Sequence, residues 1–383
     1  MVLRIAIVTP ETLPVPPVLG GAVQIYIDQV ARRLAKKHRL TIYTVEPPTE
    51  DNNRDSTIEY ITFPQTDRET YLNLVARAVA TKSYQILHIF NRPVFVPTLK
   101  IAAPAAKIIL NLHNDHLVKM RHHPLVGDCL RCTDHFIANS NYTKVNLLTH
   151  FPPVADRVTT IHLGLDPESF PPRWKRTTQI TNIRRELGLT NRKVILFVGR
   201  LNADKGVDII MSAMPKIIKK HPEALLLIVG SPHHGSEKSS PFADDLKNKG
   251  LELGDKVRFL GFISPSEISR LYLASDLLVC PSVWNEPFGR VNIEAMACGL
   301  PVVASARGGI MEAVQNGVTG LLIPAPPDKE HLARAVHLLL SWPEFAHQLG
   351  RNGHQMVTRY FTWDRVVKEL QAVYLKITSD RRG

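Results

Sequence analysis

Short apolar runs recur along this chain, and the stretches between them repeat apolar residues at helical spacing. Residues 3–9, 40–45, 58–63, 85–90 and 107–112 read as strands, several of them apolar enough to be buried on both faces. Residues 22–37 set Val23, Tyr26, Ile27, Val30 and Leu34 along one face of a helix, and 69–81 and 93–103 predict two more. A span rich in proline, arginine and threonine, 171–192, interrupts the alternation and is expected to be a linker. Beyond it the pattern restarts. Strands are predicted at 193–198, 224–229, 257–260, 277–280 and 301–304, with helices at 207–220, 287–298, 308–315 and through 328–360. Strands separated by helices predict an α/β chain with two doubly wound, Rossmann-like parallel sheets. Ligands of such sheets sit beyond the carboxyl ends of the strands. The expected domains are residues 1–170 and 193–360.

The densest candidate chemistry lies in residues 277–314. Glu286 stands in the loop after the strand ending at Cys280, and Glu294 falls two turns inside the next helix. On one continuous helix the pair would sit about 80° and about 12 Å apart. With Glu286 in the loop, both can flank one ligand. Pro287 suits a first helical position, since it has no N–H to leave unpaired. The amides of Phe288, Gly289 and Arg290 would then stand free at the positive end of the helix dipole, a seat for a phosphate or diphosphate. Two hydroxyl-seeking carboxylates around an anion seat describe a nucleotide-sugar pocket, although such glutamates also serve as plain partners of a helix dipole.

Other strand ends add candidates. Gly199-Arg200-Leu201 closes the strand at 193–198. Arg200 offers a bidentate fork, Lys205 a point charge, and the helix beginning at Val207 its free amides. Gly20-Gly21 leads into the first helix, either to aim amides at a phosphate or to supply the positive φ of a tight turn. His113 follows the strand at 107–112, where it can stabilise charge, bond a sugar hydroxyl or simply end the strand. Gly230 ends the strand at 224–229.

The run P-S-x-x-x-E-P-F-G-x-x-x-x-E-A-M-A-C-G-x-P-V-V-A-S, from Pro281 to Ser305, closely resembles the donor-site motif of family 4 glycosyltransferases. That family has the GT-B fold, two Rossmann-like domains facing a central cleft. G-R-L-x-x-x-K-G, from Gly199 to Gly206, is similar to the family's diphosphate-binding motif. N-L-H-N around His113 resembles its strand-end histidine near the donor sugar, and Gly20-Gly21-Ala22 its turn near the donor diphosphate. The resemblance implies a retaining transferase that moves a sugar from a nucleotide diphosphate, UDP above others, to a hydroxyl. Catalytic roles would fall to His113, Arg200, Lys205 and Glu286. Donor contacts would come from Gly20, Gly21, Gly199, Arg200, Lys205, Gly230, Glu286, Phe288, Gly289, Arg290 and Glu294. It also implies that residues 361–383 form an amphipathic helix crossing back to the first domain.

No D-x-D pair occurs in the sequence. Metal-dependent transferases usually chelate Mg²⁺ or Mn²⁺ with such a pair, so neither a metal nor a cofactor beyond the nucleotide-sugar co-substrate is expected. The acceptor stays open: a carbohydrate, a lipid-linked sugar or a small molecule. Two rivals share the scaffold. One is a nucleotide-sugar 2-epimerase. The other is a structural protein without turnover, because TPETLPVPPVLGGAVQIYI resembles the opening of glycosyltransferase-like proteins of bacterial spore coats. A NAD-dependent oxidoreductase is disfavoured by the lack of a compact G-x-G-x-x-G after the first strand.

Composition narrows the partners. The chain has 383 residues and a formal net charge of +12, which favours anionic ligands. Its basic residues are dispersed and not interleaved with aromatics, so nucleic acid is not expected. Lys36, Lys37, His38 and Arg39 cluster at a helix end, where they complement the dipole, and Arg32, Arg33, Lys36 and Lys37 also offer peripheral contact with a membrane or spore envelope. Four cysteines without a disulfide framework suit a reducing cytoplasm. Cys280 and Cys298 read as apolar packers, and Cys129-x-x-Cys132 as a C-x-x-C with no second pair to complete a zinc site. No signal peptide and no run of the ~20 apolar residues that span a bilayer are expected.

Overall fold

Every pairing between strands is parallel in the computed structural model, which describes residues 1–48, 54–232 and 240–379. Strands β1 (Arg4–Val8), β2 (Arg39–Val45), β3 (Ile58–Phe63), β4 (Ile86–Phe90), β5 (Lys107–Leu112), β6 (His135–Ala138) and β7 (Val158–Thr160) form one sheet, in the order β3-β2-β1-β4-β5-β6-β7. Strands β8 (Lys193–Val198), β9 (Ala224–Val229), β10 (Val257–Gly261), β11 (Leu277–Cys280), β12 (Val302–Ser305) and β13 (Leu321–Ile323) form the other, in the order β10-β9-β8-β11-β12-β13. In both sheets the order reverses beside the first strand of its unit, the switch point where α/β sheets place ligands.

Contacts divide the chain into Met1–Gly164 together with the closing helix Trp363–Ser379, and Leu165–Thr362. In the first unit, helix Ala22–Leu34 buries Tyr26, Ile27, Val30 and Leu34, the face its periodicity predicts. Helix Trp363–Ser379 packs beside it: the Tyr26 and Trp363 rings meet edge-on at 5.6 Å. Arg365 Nη2 donates to His162 O at 2.7 Å. Gly164 admits the Trp363 indole, since a Cβ there would lie 2.6 Å from the ring.

Residues 171–192, expected as a linker, carry a 3₁₀ turn at Arg173–Lys175 and a helix at Thr177–Glu186, and they belong to the second unit. Ile183 is buried there, and Arg184 Nη1 donates to Ala274 O at 2.7 Å. Three short strands, β6, β7 and β13, went unread in the sequence. Among the described residues no helix is long and apolar enough to cross a membrane.

The first sheet buries three histidines, with a consequence for acid stability. His88 lies in β4, its Nδ1 2.8 Å from Tyr374 Oη and its Nε2 3.2 Å from Asn111 Nδ2. Burial holds His88 and His113 down at about 3, the neighbouring His113 adding to the effect on His88. Burial, with Lys376 and Arg157 close by, holds His135 down at about 4. An unfolded histidine titrates near 6.5. Below that pH the unfolded chain binds protons that the native rings refuse, so stability present above about 6.5 is lost as pH falls toward 3. Each ring costs up to about 1.4 kcal/mol per pH unit. Urea midpoints should therefore drop steeply between pH 7 and pH 5, with a shallower drop in His88→Gln. A midpoint flat over that range would contradict the burial.

Candidate functional site

In the second unit, the carboxyl ends of β8 and β9 touch backbone to backbone. Gly230 follows β9 with φ 134°, and a Cβ there would lie 1.9 Å from Gly199 O. Gly199 N donates to Val229 O at 3.0 Å, and Leu201 N to Ser231 O at 3.1 Å. Gly230 is thus demanded by packing, whatever else it touches, whereas a Cβ at Gly199 would meet nothing nearer than the Phe197 ring, at 3.3 Å.

From this edge the chain makes a 3₁₀ turn, Ala203–Lys205, and enters helix Val207–Lys220 through Gly206 at φ 67°. A side chain at 206 would collide with Pro281 O, 2.0 Å from its Cβ. That close approach brings Lys205 to the loop after β11, where Val283 N donates to Asp204 O at 2.8 Å. Lys205 Nζ forms an ion pair with Glu286 Oε1 and lies 5.3 Å from the centre of the Trp284 ring. Ser282 Oγ donates to the same carboxylate oxygen at 2.9 Å. Glu286 is only 7 % exposed, so its charge depends on these partners. Its backbone is fixed as well: Gly309 N donates to Glu286 O at 2.7 Å, and a Cβ at Gly308 would sit 2.3 Å from that oxygen. The Gly308-Gly309 turn therefore lets the Glu286 loop pass.

The helix after this loop begins at Arg290, not at Pro287 as its sequence suggested. Gly289 takes the left-handed conformation, φ 83° and ψ 62°, which no first-turn residue can share, and Pro287 stays in the loop. Among the described residues, the amides of Gly289 and Arg290 meet no backbone or side-chain acceptor. Arg290 Nη2 reaches along the helix to Glu294 Oε1 at 2.8 Å, and Tyr272 Oη donates to Glu294 Oε2 at 2.8 Å. Burial and the adjacent Glu294 hold Tyr272 well above the usual phenol range, so it remains a donor. Arg200 is exposed and makes no ion pair among the described residues. Trp284 Nε1, Arg290 Nε, Asn202 Oδ1 and both amide atoms of Asn292 are buried without a partner on these same loops and helix.

Lys205 and Glu286 thus meet directly, Arg290 and Glu294 likewise, and Phe288 and Gly289 join the two pairs along the chain. His113, Gly20 and Gly21 lie in the first unit. His113 N donates to Asn91 Oδ1 at 2.7 Å, its ring meets Tyr26 edge-on at 4.7 Å, and Nε2 is buried without a partner. Held at about 3 by burial, the ring is neutral near pH 7, which suits hydrogen bonding better than charge stabilisation. Gly20 and Gly21, at φ 76° and 96°, open helix Ala22–Leu34.

Sequence reading gave Ser282 no role, although the motif beginning at Pro281 contains it, and missed Trp284 and Tyr272, which as single residues in a loop or on an apolar helix do not announce themselves. It also missed a buried pair in the first unit, where Arg92 Nη2 donates to Glu11 Oε1 at 2.9 Å and Arg68 Nε to the same atom at 3.1 Å. Burial pushes the Glu11 carboxyl up, and the Arg92 bonds outweigh it, leaving the group below the usual range. Their position just past β1 and β4 was the available signal. Burial pushes the thiols of Cys280 and Cys129 up to about 11 and about 12, and that of Cys298 higher still, so these are protonated packers. Among the described residues, no group of three or more His, Cys, Asp or Glu side chains is arranged to hold a metal ion.

Comparison with known proteins agrees with this architecture. Residues 20–169 match the family model described as Glycosyltransferase Family 4, and residues 179–356 match Glycosyl transferases group 1. The chain is 34 % identical to spore coat protein SA of Bacillus subtilis (strain 168), over 98 % of this chain and 100 % of that protein. Sucrose-phosphate synthase from Thermosynechococcus elongatus is similar in structure, with a TM-score of 0.82 and 26 % identity over 98 % of this chain and 99 % of that one. Anabaena Alr3699/HepE, solved in complex with UDP and glucose, gives a TM-score of 0.80 at 21 % identity, over 97 % of this chain and 98 % of that one.

Proposed function

The chain belongs to the group 1 and family 4 glycosyltransferases, with the two Rossmann-like units of the GT-B fold, and from that premise we propose that its second unit binds a UDP-sugar and transfers the sugar, with retention, to a hydroxyl acceptor without a divalent metal. The observation that carries this reading is the Lys205–Glu286 pair, buttressed by Ser282 at the carboxyl edge of β11. Glu286 Oε1 is occupied by both partners, while Oε2 has no partner among the described residues, which leaves it for a hydroxyl of the transferred sugar. Both oxygens of Glu294 are engaged, by Arg290 and Tyr272. A ribose diol that took over Glu294 would free the Arg290 guanidinium for phosphate.

Breaking the glycosidic bond puts charge on the departing diphosphate. Arg200, Lys205, Arg290 and the start of helix Arg290–Ala297 would stabilise that charge more in the transition state than before it, which is what lowers the barrier. The acceptor would attack on the face the diphosphate leaves. A double displacement with Glu286 as nucleophile is disfavoured, because its carboxylate is tied to an ammonium and a hydroxyl.

Incubating the protein with a panel of nucleotide sugars, and reading the products by mass spectrometry, tests the reading. Slow release of UDP and free sugar from one donor supports it. Conversion of the donor to its 2-epimer would replace it with an epimerase. Transfer should persist in EDTA at the rate seen with Mg²⁺, and a strict, restorable Mg²⁺ requirement would overturn the metal-free account. The full-length similarity to a spore coat protein favours a second reading, a coat component that keeps the fold without turnover. Complete inertness toward every donor would select it.

A further inference from the structure

Away from these residues, the second unit carries a cavity of about 420 Å³ with no carboxylate in its lining. Arg173, Trp174, Thr177, Thr181, His347 and Arg351 surround it. The wall is firmly built. Arg173 N donates to Cys298 O at 2.9 Å. The Trp174 ring rests on Gly299, where a Cβ would lie 2.4 Å from it, and meets His354 edge-on at 5.1 Å. Trp174 nevertheless remains 44 % exposed, a large aromatic surface left in water.

The charge pattern is one-sided. Arg173 is half-buried, and its guanidinium makes no ion pair among the described residues. Burial pulls its pKa down, and Asp276 is the carboxylate that opposes this. Asp276 is already engaged, by Arg184 at 3.2 Å and by the amide of Val194 at 2.6 Å. Arg351 and His347 are exposed beside the same cavity. A half-buried guanidinium that makes no ion pair keeps its planar fork available, and that fork matches carboxylate and phosphate oxygens. An exposed indole offers a flat apolar face with a polar edge, to which the C–H face of a pyranose is complementary. Thr177 lies in the same lining and adds a hydroxyl, while Thr181, one turn on, donates its own to Thr177 O at 3.1 Å and keeps only acceptor capacity.

We infer that this cavity is a second saccharide site, taking a sugar that bears a carboxylate or phosphate, with Trp174 under the sugar ring and Arg173 and Arg351 on its anion. It shares no residue with the Arg200, Lys205 and Glu286 cluster, so it stands apart from the reading of that cluster.

Calorimetric titration of the full chain with tri-galacturonate and glucose 6-phosphate, beside maltotriose and inorganic phosphate, tests it. One of the acidic sugars should bind at least tenfold more tightly than either control. Arg351→Gln, an exposed change that leaves the wall intact, should weaken that binding at least fivefold, as should Trp174→Ala, while Lys205→Ala leaves it unaltered. Failure of both acidic sugars to bind, equal binding of phosphate alone, or affinity insensitive to Arg351→Gln would overturn the inference. So would loss of binding in Lys205→Ala, which would place the sugar at the other cluster.

Discussion

Glu286→Gln should lower sugar transfer by about two orders of magnitude or more, the scale of losing one preorganised charge stabiliser. The substitution keeps the size of the side chain and an acceptor for Ser282, and removes the charge that holds Lys205 in place. Lys205→Ala should cost as much, because it removes the cation and strands a carboxylate that is 7 % exposed. The two losses should not add: a pair that works as a unit is largely lost with either member. In stability, the double variant should lose less than the two single variants summed, since breaking a buried pair leaves one bare charge and removing both members leaves none. Turnover near wild type in either variant, measured on folded protein, would refute the assignment.

Gly230→Ala should destabilise the second unit by about 3 kcal/mol or more, the sum of a strained backbone and a steric conflict in the core. At φ 134° the position suits glycine, and the new Cβ would fall 1.9 Å from Gly199 O, a backbone atom that cannot swing aside. For a unit of this size the melting temperature should fall by roughly 6–12 °C. Separation of β8 from β9 at this edge would also disturb Leu201 N, which donates to Ser231 O at 3.1 Å, and with it the approach to Arg200. A melting temperature within a degree of wild type would contradict the close approach of the two strand ends.

Strands buried on both faces were readable because their apolar runs are continuous: β5, β8, β9 and β11 have the limits their sequence predicts, and the edge strand β3 was readable through the alternation of IEYITF. β6, β7 and β13 span only four, three and three residues, too short for an apolar run to stand out, and β7 reads VTT, with two hydroxyl side chains. The span 171–192 looked like a linker through its Pro, Arg and Thr content. It joins the second unit because Ile183 and Arg184 find partners that lie some 90 residues further along, beyond any local pattern. At the site, motif spacing marked Arg200, Lys205, Glu286 and Glu294. It could not show that Lys205 and Glu286 are partners, since 81 residues separate them and contact depends on how closely Gly206 approaches Pro281. Nor could it place the helix start, which turns on the left-handed φ of Gly289.

Titration of the protein with UDP in EDTA, by calorimetry, tests most directly whether side-chain cations and helix amides alone hold the diphosphate. Binding should be saturable, unchanged within twofold when Mg²⁺ is added, and at least tenfold weaker in Arg200→Ala. Binding that appears only with Mg²⁺, or that survives intact in Arg200→Ala, would contradict the account.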